Sequence, residues 1–251
     1  MATIGAVYCV YEPSAFLFES VKRIYPVVDK IIFLLNFKPW RGDPLPGALV
    51  NTFRIAATIS DPDKKIEILS SRWESEAEQR NVGLKFLRDR GIDWCLIVDD
   101  DEFFNPTQLK DVFGMLGDTK YAAYLIYHQI YWKNRDMIVE GLFGSFPTLA
   151  MTNGLVNFNE DRMILVKNSH TWTSIPPERV LCHHMSYVRC DREMLRKVQN
   201  FSHADTVVTD WYDKIWVNWK ADMTDFHPTT PQAFKKVLPA SESVYTIEKI
   251  D

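Results

Sequence analysis

The chain has 251 residues, of which 46% are hydrophobic and 25% charged, and its 29 lysines and arginines against 33 aspartates and glutamates leave a net charge of −4. Ten glycines and thirteen prolines leave no room for a collagen-like or long disordered chain, and the lack of a basic excess argues against general nucleic-acid binding. A length of this order fits one large domain or two small ones, and one shared core is the simpler expectation.

Ile4 to Val10 is an apolar, β-branched run that predicts a buried strand, and Ser14 to Ile24 then places Phe16, Leu17, Val21 and Ile24 at helical spacing. Lys30 to Asn36 repeats the strand signal. After a Pro/Gly-rich turn at Pro39 to Gly47, a helix is predicted over Ala48 to Ile59 and a short strand over Lys65 to Leu69. Ser75-Glu76-Ala77-Glu78 fits a capping box, so a helix is expected from there to about Arg90. Trp94 to Val98 is apolar on both faces, as expected of a central strand in a parallel sheet with helices above and below. Ligands of such α/β sheets bind beyond the carboxyl ends of the strands.

From Tyr121 the pattern changes to strand-rich segments, Tyr121 to Trp132, Met137 to Phe143 and Arg162 to Lys167, without helices between them, which predicts antiparallel additions. Helical patterns return at Asp191 to His203, at Asp210 to Lys220 and after Thr230-Pro231. Trp211, Tyr212, Ile215, Trp216 and Trp219 form a stripe that reads as core packing. No apolar stretch reaches the roughly 18–20 residues of a membrane span, and Met1-Ala2-Thr3 lacks the positive charge that opens a signal peptide, so a cytoplasmic protein is expected. Cys9, Cys95, Cys182 and Cys190 contain no C-x-x-C pair and read as buried free thiols.

Asp99-Asp100-Asp101-Glu102 follows directly on the apolar run Trp94 to Val98. If the chain stays extended, Asp99 and Asp101 point the same way and Asp100 the other. At about 5 Å and an effective dielectric of about 20, two carboxylates repel by roughly 3 kcal/mol, so a partly buried pair is expected to hold a proton or a metal. Oxygen ligands of this kind suit Mg²⁺ or Mn²⁺. The bland alternative is a solvated acidic turn. Adjacent histidines on a strand point to opposite faces, so one of His183 and His184 is available to join the acids, a plausible Mn²⁺ site. His128 and His170, in aromatic strand-like contexts, read as structural.

The stretch Glu76 to Phe103, E-A-E-Q-R-N-V-G-L-K-F-L-R-D-R-G-I-D-W-C-L-I-V-D-D-D-E-F, resembles the helix-to-strand segment of GT-A fold glycosyltransferases, in particular family 2-like enzymes, with an R-N-x-G-L helix and a D-x-D strand end. The resemblance implies that Asp99 and Asp101 bind a divalent metal, Mn²⁺ or Mg²⁺, that bridges the diphosphate of a nucleotide-sugar. It places Asp100 near the donor ribose or sugar, Arg80 near the nucleotide, and Tyr11 and Glu12 at the nucleobase, with Asn36 as a further candidate. The block Cys182 to Arg189, C-H-H-M-S-Y-V-R, followed by Lys197 and by Phe201 to His203, is similar to a motif of some family members in which a late histidine completes the metal site. By that match His184 is a ligand, and Arg189 and Lys197 neutralise the diphosphate.

The implied architecture is α/β: one GT-A domain over residues 1–251, with a mostly parallel central sheet flanked by helices, an antiparallel addition and C-terminal helices. Residues 1–120 would form the nucleotide-sugar-binding half, 121–190 the acceptor and metal-completing half, and 191–251 a helical tail. The implied activity is metal-dependent transfer of a sugar from a UDP-, GDP- or dTDP-linked donor to a saccharide or other hydroxyl acceptor, with inversion. An inverting transfer needs a carboxylate to take the acceptor proton, for which Glu140, Asp161, Glu178 and Asp191 are available. Asn159-Glu160-Asp161 is similar to the x-E-D base motif, although it precedes a strand where that motif usually opens a helix, and Glu178 lies in a Pro-rich loop before the histidines. A metal-dependent nucleotidyltransferase would also use acids at strand ends, but Gly5 alone supplies no early Gly-rich phosphate loop. A non-catalytic sugar- or nucleotide-binding protein of the same fold would bind without turnover.

Overall fold

The β-branched runs of the N-terminal half form a parallel sheet, and the segments between them cross over as helices. The computed structural model describes residues 2–160, 162–167, 171–245 and 247. In chain order the first elements are β1 (Ile4–Val10), α1 (Leu17–Ile24), β2 (Lys30–Asn36), α2 (Ala48–Ala57), β3 (Ile66–Ser71), α3 (Glu76–Arg88) and β4 (Trp94–Val98). The strands lie in the order β3-β2-β1-β4, all parallel. All their carboxyl ends therefore share one edge.

Strand alternation divides the core into two layers. Trp94, Leu96 and Val98 of β4 join Ala6, Tyr8 and Val10 in the layer under α1, while Cys95 and Ile97 join Val7, Ile32 and Leu34 under α3. Every residue of β4 is buried, as its two-sided apolar sequence predicts. Ser75 caps α3 by accepting from the Glu78 amide, but the Glu78 carboxylate accepts from the Glu74 amide, one residue before the capping-box position.

The R-N-x-G run on α3 sets the helix on the sheet. Asn81 makes two hydrogen bonds of 2.8 Å with the backbone of Phe158. Gly83 lies so close to β1 and β2 that a Cβ there would stand 2.7 and 3.0 Å from the Val7 methyls and 3.2 Å from Leu34 Cδ1.

The remaining elements are β5 (Glu102–Phe103), α4 (Pro106–Phe113), β6 (Tyr121–Trp132), β7 (Asn134–Val139), β8 (Phe143–Met151), β9 (Val156–Glu160), β10 (Met163–Val166), β11 (Thr171–Ser174), β12 (Cys182–Tyr187), α5 (Asp191–Asn200) and β13 (Val237–Pro239). β8 runs antiparallel between β4 and β6, β7 pairs antiparallel with β6, and β13 with β7. The additions are not all antiparallel: β11 and β12 run parallel to β6, and β12 pairs antiparallel with β5. β12 thereby reaches the edge where β4 ends.

The tail departs from the predicted helices. Among the described residues there, only α5 is a regular α-helix, while Tyr212–Val217 is π-helical and Pro231–Ala233 a single 3₁₀ turn. A π turn bonds residues five apart, and Trp211 and Trp216, five apart, both pack on Trp132, with centroids 6.4 and 5.4 Å from its ring. The expected core-packing stripe thus seals an aromatic cluster with Phe226 and Phe234. Three of the cysteines lie in β1, β4 and β12, whereas Cys190 is exposed at the N-cap of α5. Among the described residues no helix is long and apolar enough to cross a membrane.

Gly83→Ala tests the helix-on-sheet contact. Alanine favours the helix by about 1 kcal/mol, but the added methyl has no room against Val7. A net loss of about 1–3 kcal/mol is expected from the urea midpoint; equal or greater stability would show that the contact relaxes freely.

Candidate functional site

At the shared edge the chain turns immediately after β4, with the Glu102 amide bonded to the Asp99 carbonyl at 3.0 Å. The turn replaces the extended alternation expected for the acidic run. Asp99, Asp100 and Asp101 consequently each meet a different set of partners, and all three line one cleft of about 650 Å³.

Asp99 lies between two arginines. Arg80 of α3, 2% exposed, donates from Nη2 to Asp99 Oδ1 at 2.9 Å and from Nε to Glu76 at 2.8 Å. Arg162 binds Glu102 with both terminal nitrogens, reaches Asp99 Oδ2 at 3.4 Å, and donates to the carbonyls of Ile97 at 3.0 Å and Pro147 at 3.2 Å. Glu102 is fully buried and also accepts from the Asp99 amide at 3.1 Å. Burial would raise the Asp99 pKa, but Arg80 and Arg162 hold it below the usual carboxylate range.

Asp101, 2% exposed, is the centre of a second group. Its Oδ1 lies 3.1 Å from His184 Nε2, and its Oδ2 accepts from Arg189 at 2.6 Å and Lys197 at 3.2 Å. The Met185 amide bonds the Asp101 carbonyl at 2.8 Å, so β12 grips the acid by backbone as well as side chain. Against the cost of burial, Lys197, His184 and Arg189 hold Asp101 well below its ordinary pKa. Lys197 is itself lowered, chiefly by burial, and donates to Ser186 Oγ at 2.7 Å.

Asp100 bonds the segment between β1 and α1. Its carboxylate accepts from the Ser14 amide, yet burial and the neighbouring Asp101 charge push its pKa up to about 6.

The two adjacent histidines face opposite sides of β12. His183 bonds Tyr131 Oη at 3.0 Å and is lowered to about 4, chiefly by burial. His184 faces the cleft, where it meets His128 edge-on with ring centroids 5.4 Å apart. His128 is 2% exposed, burial holds its pKa well below the ordinary value, and its Nδ1 lies 3.9 Å from Glu102 Oε1.

Tyr11 and Glu12 line the cleft at the end of β1. Tyr11 is pinned by the Leu45 amide on its hydroxyl at 2.7 Å and by the Thr52 hydroxyl on its carbonyl at 2.6 Å, and Glu12 pairs with Arg196 at 3.5 Å. Asn36 does not line it; its amide bonds both backbone groups of Trp73, tying the end of β2 to the approach to α3. Asp161 lies outside the described residues. Glu178 is exposed, away from the cleft, and accepts from Tyr245 Oη at 3.2 Å. Glu140 and Asp191 do not line it either; Asp191 accepts from the Trp216 indole at 2.9 Å.

The structure thus adds residues that the sequence did not single out. Glu102 was visible only as the fourth acid of a run, and nothing in the sequence near Arg162 shows that it folds onto that acid. With Glu76, the acids at this edge meet four cations, Arg80, Arg162, Arg189 and Lys197, so their mutual repulsion is already largely offset within the protein.

Fold and site together define an α/β protein with a compensated acid–cation cluster in a cleft at the carboxyl edge of its parallel sheet. No family model matches the chain, and no curated protein matches it. Among solved structures it is similar to residues 1–349 of S. aureus TarS in complex with UDP-GlcNAc, at 13% identity and a TM-score of 0.35 over 53% of this chain and 35% of that one. A further structure of S. aureus TarS 1–349 gives 15% identity and a TM-score of 0.36 over 60% of this chain and 47% of the other. The chain spans less than half the length of either. Likeness at this level identifies no family, and the functional reading rests on the site.

Removing Arg162 would leave Glu102 buried without its cation. Arg162→Met is expected to cost about 3–5 kcal/mol by urea denaturation, with Arg162→Lys intermediate. A loss below about 1 kcal/mol would show that the pair does not organise this edge.

Proposed function

We propose that this protein transfers a sugar from a nucleotide-diphosphate donor to an acceptor hydroxyl, using a divalent cation, Mn²⁺ or Mg²⁺. The observation that carries the reading is Asp101, which meets an imidazole on one oxygen and two cleft-lining cations on the other. Two ligand atoms about 2.1 Å from one octahedral ion stand about 3 Å apart, and His184 Nε2 and Asp101 Oδ1 are separated by 3.1 Å. That pair fits a metal. Asp99 fits less readily, because Arg80 and Arg162 take its two oxygens.

The chain's own groups supply the rest of the chemistry. Arg189 and Lys197 are positioned to neutralise a diphosphate, the arginine by a forked contact and the lysine as a point charge. Charge that develops on a leaving group is best stabilised by groups already fixed in place, and here Asp101 and Ser186 fix both cations. A bound divalent ion adds Lewis-acid stabilisation of the same leaving group. Tyr11 and Glu12 bound the side of the cleft offered to the nucleobase, and Asp100 the side of the ribose or sugar. Asp161 is proposed as acceptor of the hydroxyl proton in an inverting transfer, because Asn159-Glu160-Asp161 is similar to the x-E-D base motif. Glu178, exposed and bonded by Tyr245, is not given that role.

UDP-, GDP- and dTDP-sugars are expected to raise the melting temperature with Mn²⁺ and much less without it. At a ligand concentration about 100 times Kd the gain corresponds to about 2.7 kcal/mol, and Asp101→Asn or His184→Ala should abolish its metal-dependent part. No metal-linked shift with any donor, or parental shifts in both variants, would refute the reading. Asp161→Asn should retain that shift and lose turnover by about 10²-fold or more; full turnover would remove Asp161 as the base.

A further inference from the structure

The cleft continues past the two diphosphate cations. In the sheet, β1 and β2 lie on one side of β4, and β8 and β6 on the other. Tyr11 and Glu12, offered to the nucleobase, follow β1, and Asp101 follows β4, whereas Ile130 of β6, Phe143 of β8 and Phe234, three residues before β13, line the cleft on the far side. There Phe143 and His227 both pack on the buried Phe234 ring, with centroids 4.9 and 4.5 Å from it. Phe143 and His227 are themselves half-buried and line the cleft, and the proposed transfer uses neither.

His227 is a donor of fixed tautomer. Its Nδ1 accepts from the amides of Thr230 at 3.0 Å and Thr229 at 3.3 Å, with the Thr229 hydroxyl 3.4 Å from the same atom. An amide can only donate, so Nδ1 carries no hydrogen and the ring proton sits on Nε2. Burial and the neighbouring His203 lower the pKa of the ring to about 4, so it is neutral at pH 7. Among the described residues nothing accepts from Nε2. The loop that carries the ring is held from two sides, by the Phe226 amide on the Phe234 carbonyl at 3.2 Å and by the Val208 amide on the Pro228 carbonyl at 2.8 Å.

We propose that this wall binds the acceptor as a pyranoside, one sugar hydroxyl accepting from His227 Nε2 and one face of the ring lying on Phe143. A pyranose joins a C–H face to a rim of neutral hydroxyls, and the wall sets an aromatic ring beside a single neutral donor, the pattern by which a mostly apolar pocket orients a ligand. An anionic acceptor would be drawn instead to Arg189 and Lys197, which Asp101 holds at 2.6 and 3.2 Å. That the pyranoside is the acceptor rests on the transfer reading; that the wall binds one does not.

The test is saturation-transfer NMR of the full chain, with UDP and Mn²⁺ present, using methyl glucoside, methyl galactoside, methyl mannoside and methyl N-acetylglucosaminide as probes. At least one glycoside is expected to bind, with the strongest saturation on the protons of one ring face. His227→Asn keeps a side-chain oxygen for the two amides but withdraws the Nε2 donor, so it should weaken that glycoside about three- to tenfold and leave UDP affinity and circular dichroism unchanged. No saturation of any glycoside by the parent, or parental glycoside affinity in folded His227→Asn, would overturn the proposal. Should that variant not fold, Phe143→Leu decides by the same criterion. Glycosides bound through His227 in a protein that binds no nucleotide-sugar would uphold the wall while removing the transfer reading, and a metal-linked nucleotide-sugar shift without glycoside binding would do the reverse.

Discussion

Carboxylates at the end of β4 can be buried only because cations from distant parts of the chain come to meet them. Two of them about 5 Å apart repel by roughly 3 kcal/mol at an effective dielectric of about 20, and an unpaired buried charge costs several kcal/mol more. Arg80 comes from α3, Arg162 from between β9 and β10, His184 from β12, Arg189 from the link between β12 and α5, and Lys197 from α5. The acidic turn is therefore a point at which the parallel half and the later strands are tied together. Removing it would leave the cleft without a floor.

The same compensation shapes what the cleft can bind. A cation cluster held by internal carboxylates is rigid, and rigid donors aimed at a developing charge need little reorganisation when it forms. Asp101 divides its oxygens between an imidazole and two basic side chains, so a cation and an anion can sit side by side against it. A metal-bound diphosphate is a ligand of that kind. The edge is neither an open acidic pocket nor a basic groove, in a chain of net charge −4.

How much was legible in the sequence follows from the range of the forces involved. β1, β2 and β4 have the predicted boundaries because two-sided burial writes itself into an unbroken apolar run. The π turn of the tail is not legible locally, because Trp211 and Trp216 pack on Trp132, some eighty residues away. At the site, the divergence of His183 and His184 follows from strand alternation, and their faces differ accordingly. The partnership of Arg162 with Glu102 and the nearness of His128 to both are products of strand order, which no local pattern encodes. The extended reading of Asp99 to Asp101 failed because the chain turns as soon as β4 ends.

The central claim is that a cation held at Asp101 and His184 meets the diphosphate of a nucleotide. The most direct measurement is the phosphorus NMR spectrum of a nucleoside diphosphate in the presence of protein and substoichiometric Mn²⁺, with His184→Ala as reference. The account predicts broadening of both phosphorus resonances beyond that of the free Mn²⁺–nucleotide complex, lost in the variant. A nucleotide that binds without extra broadening, or equal broadening with His184→Ala, would contradict it.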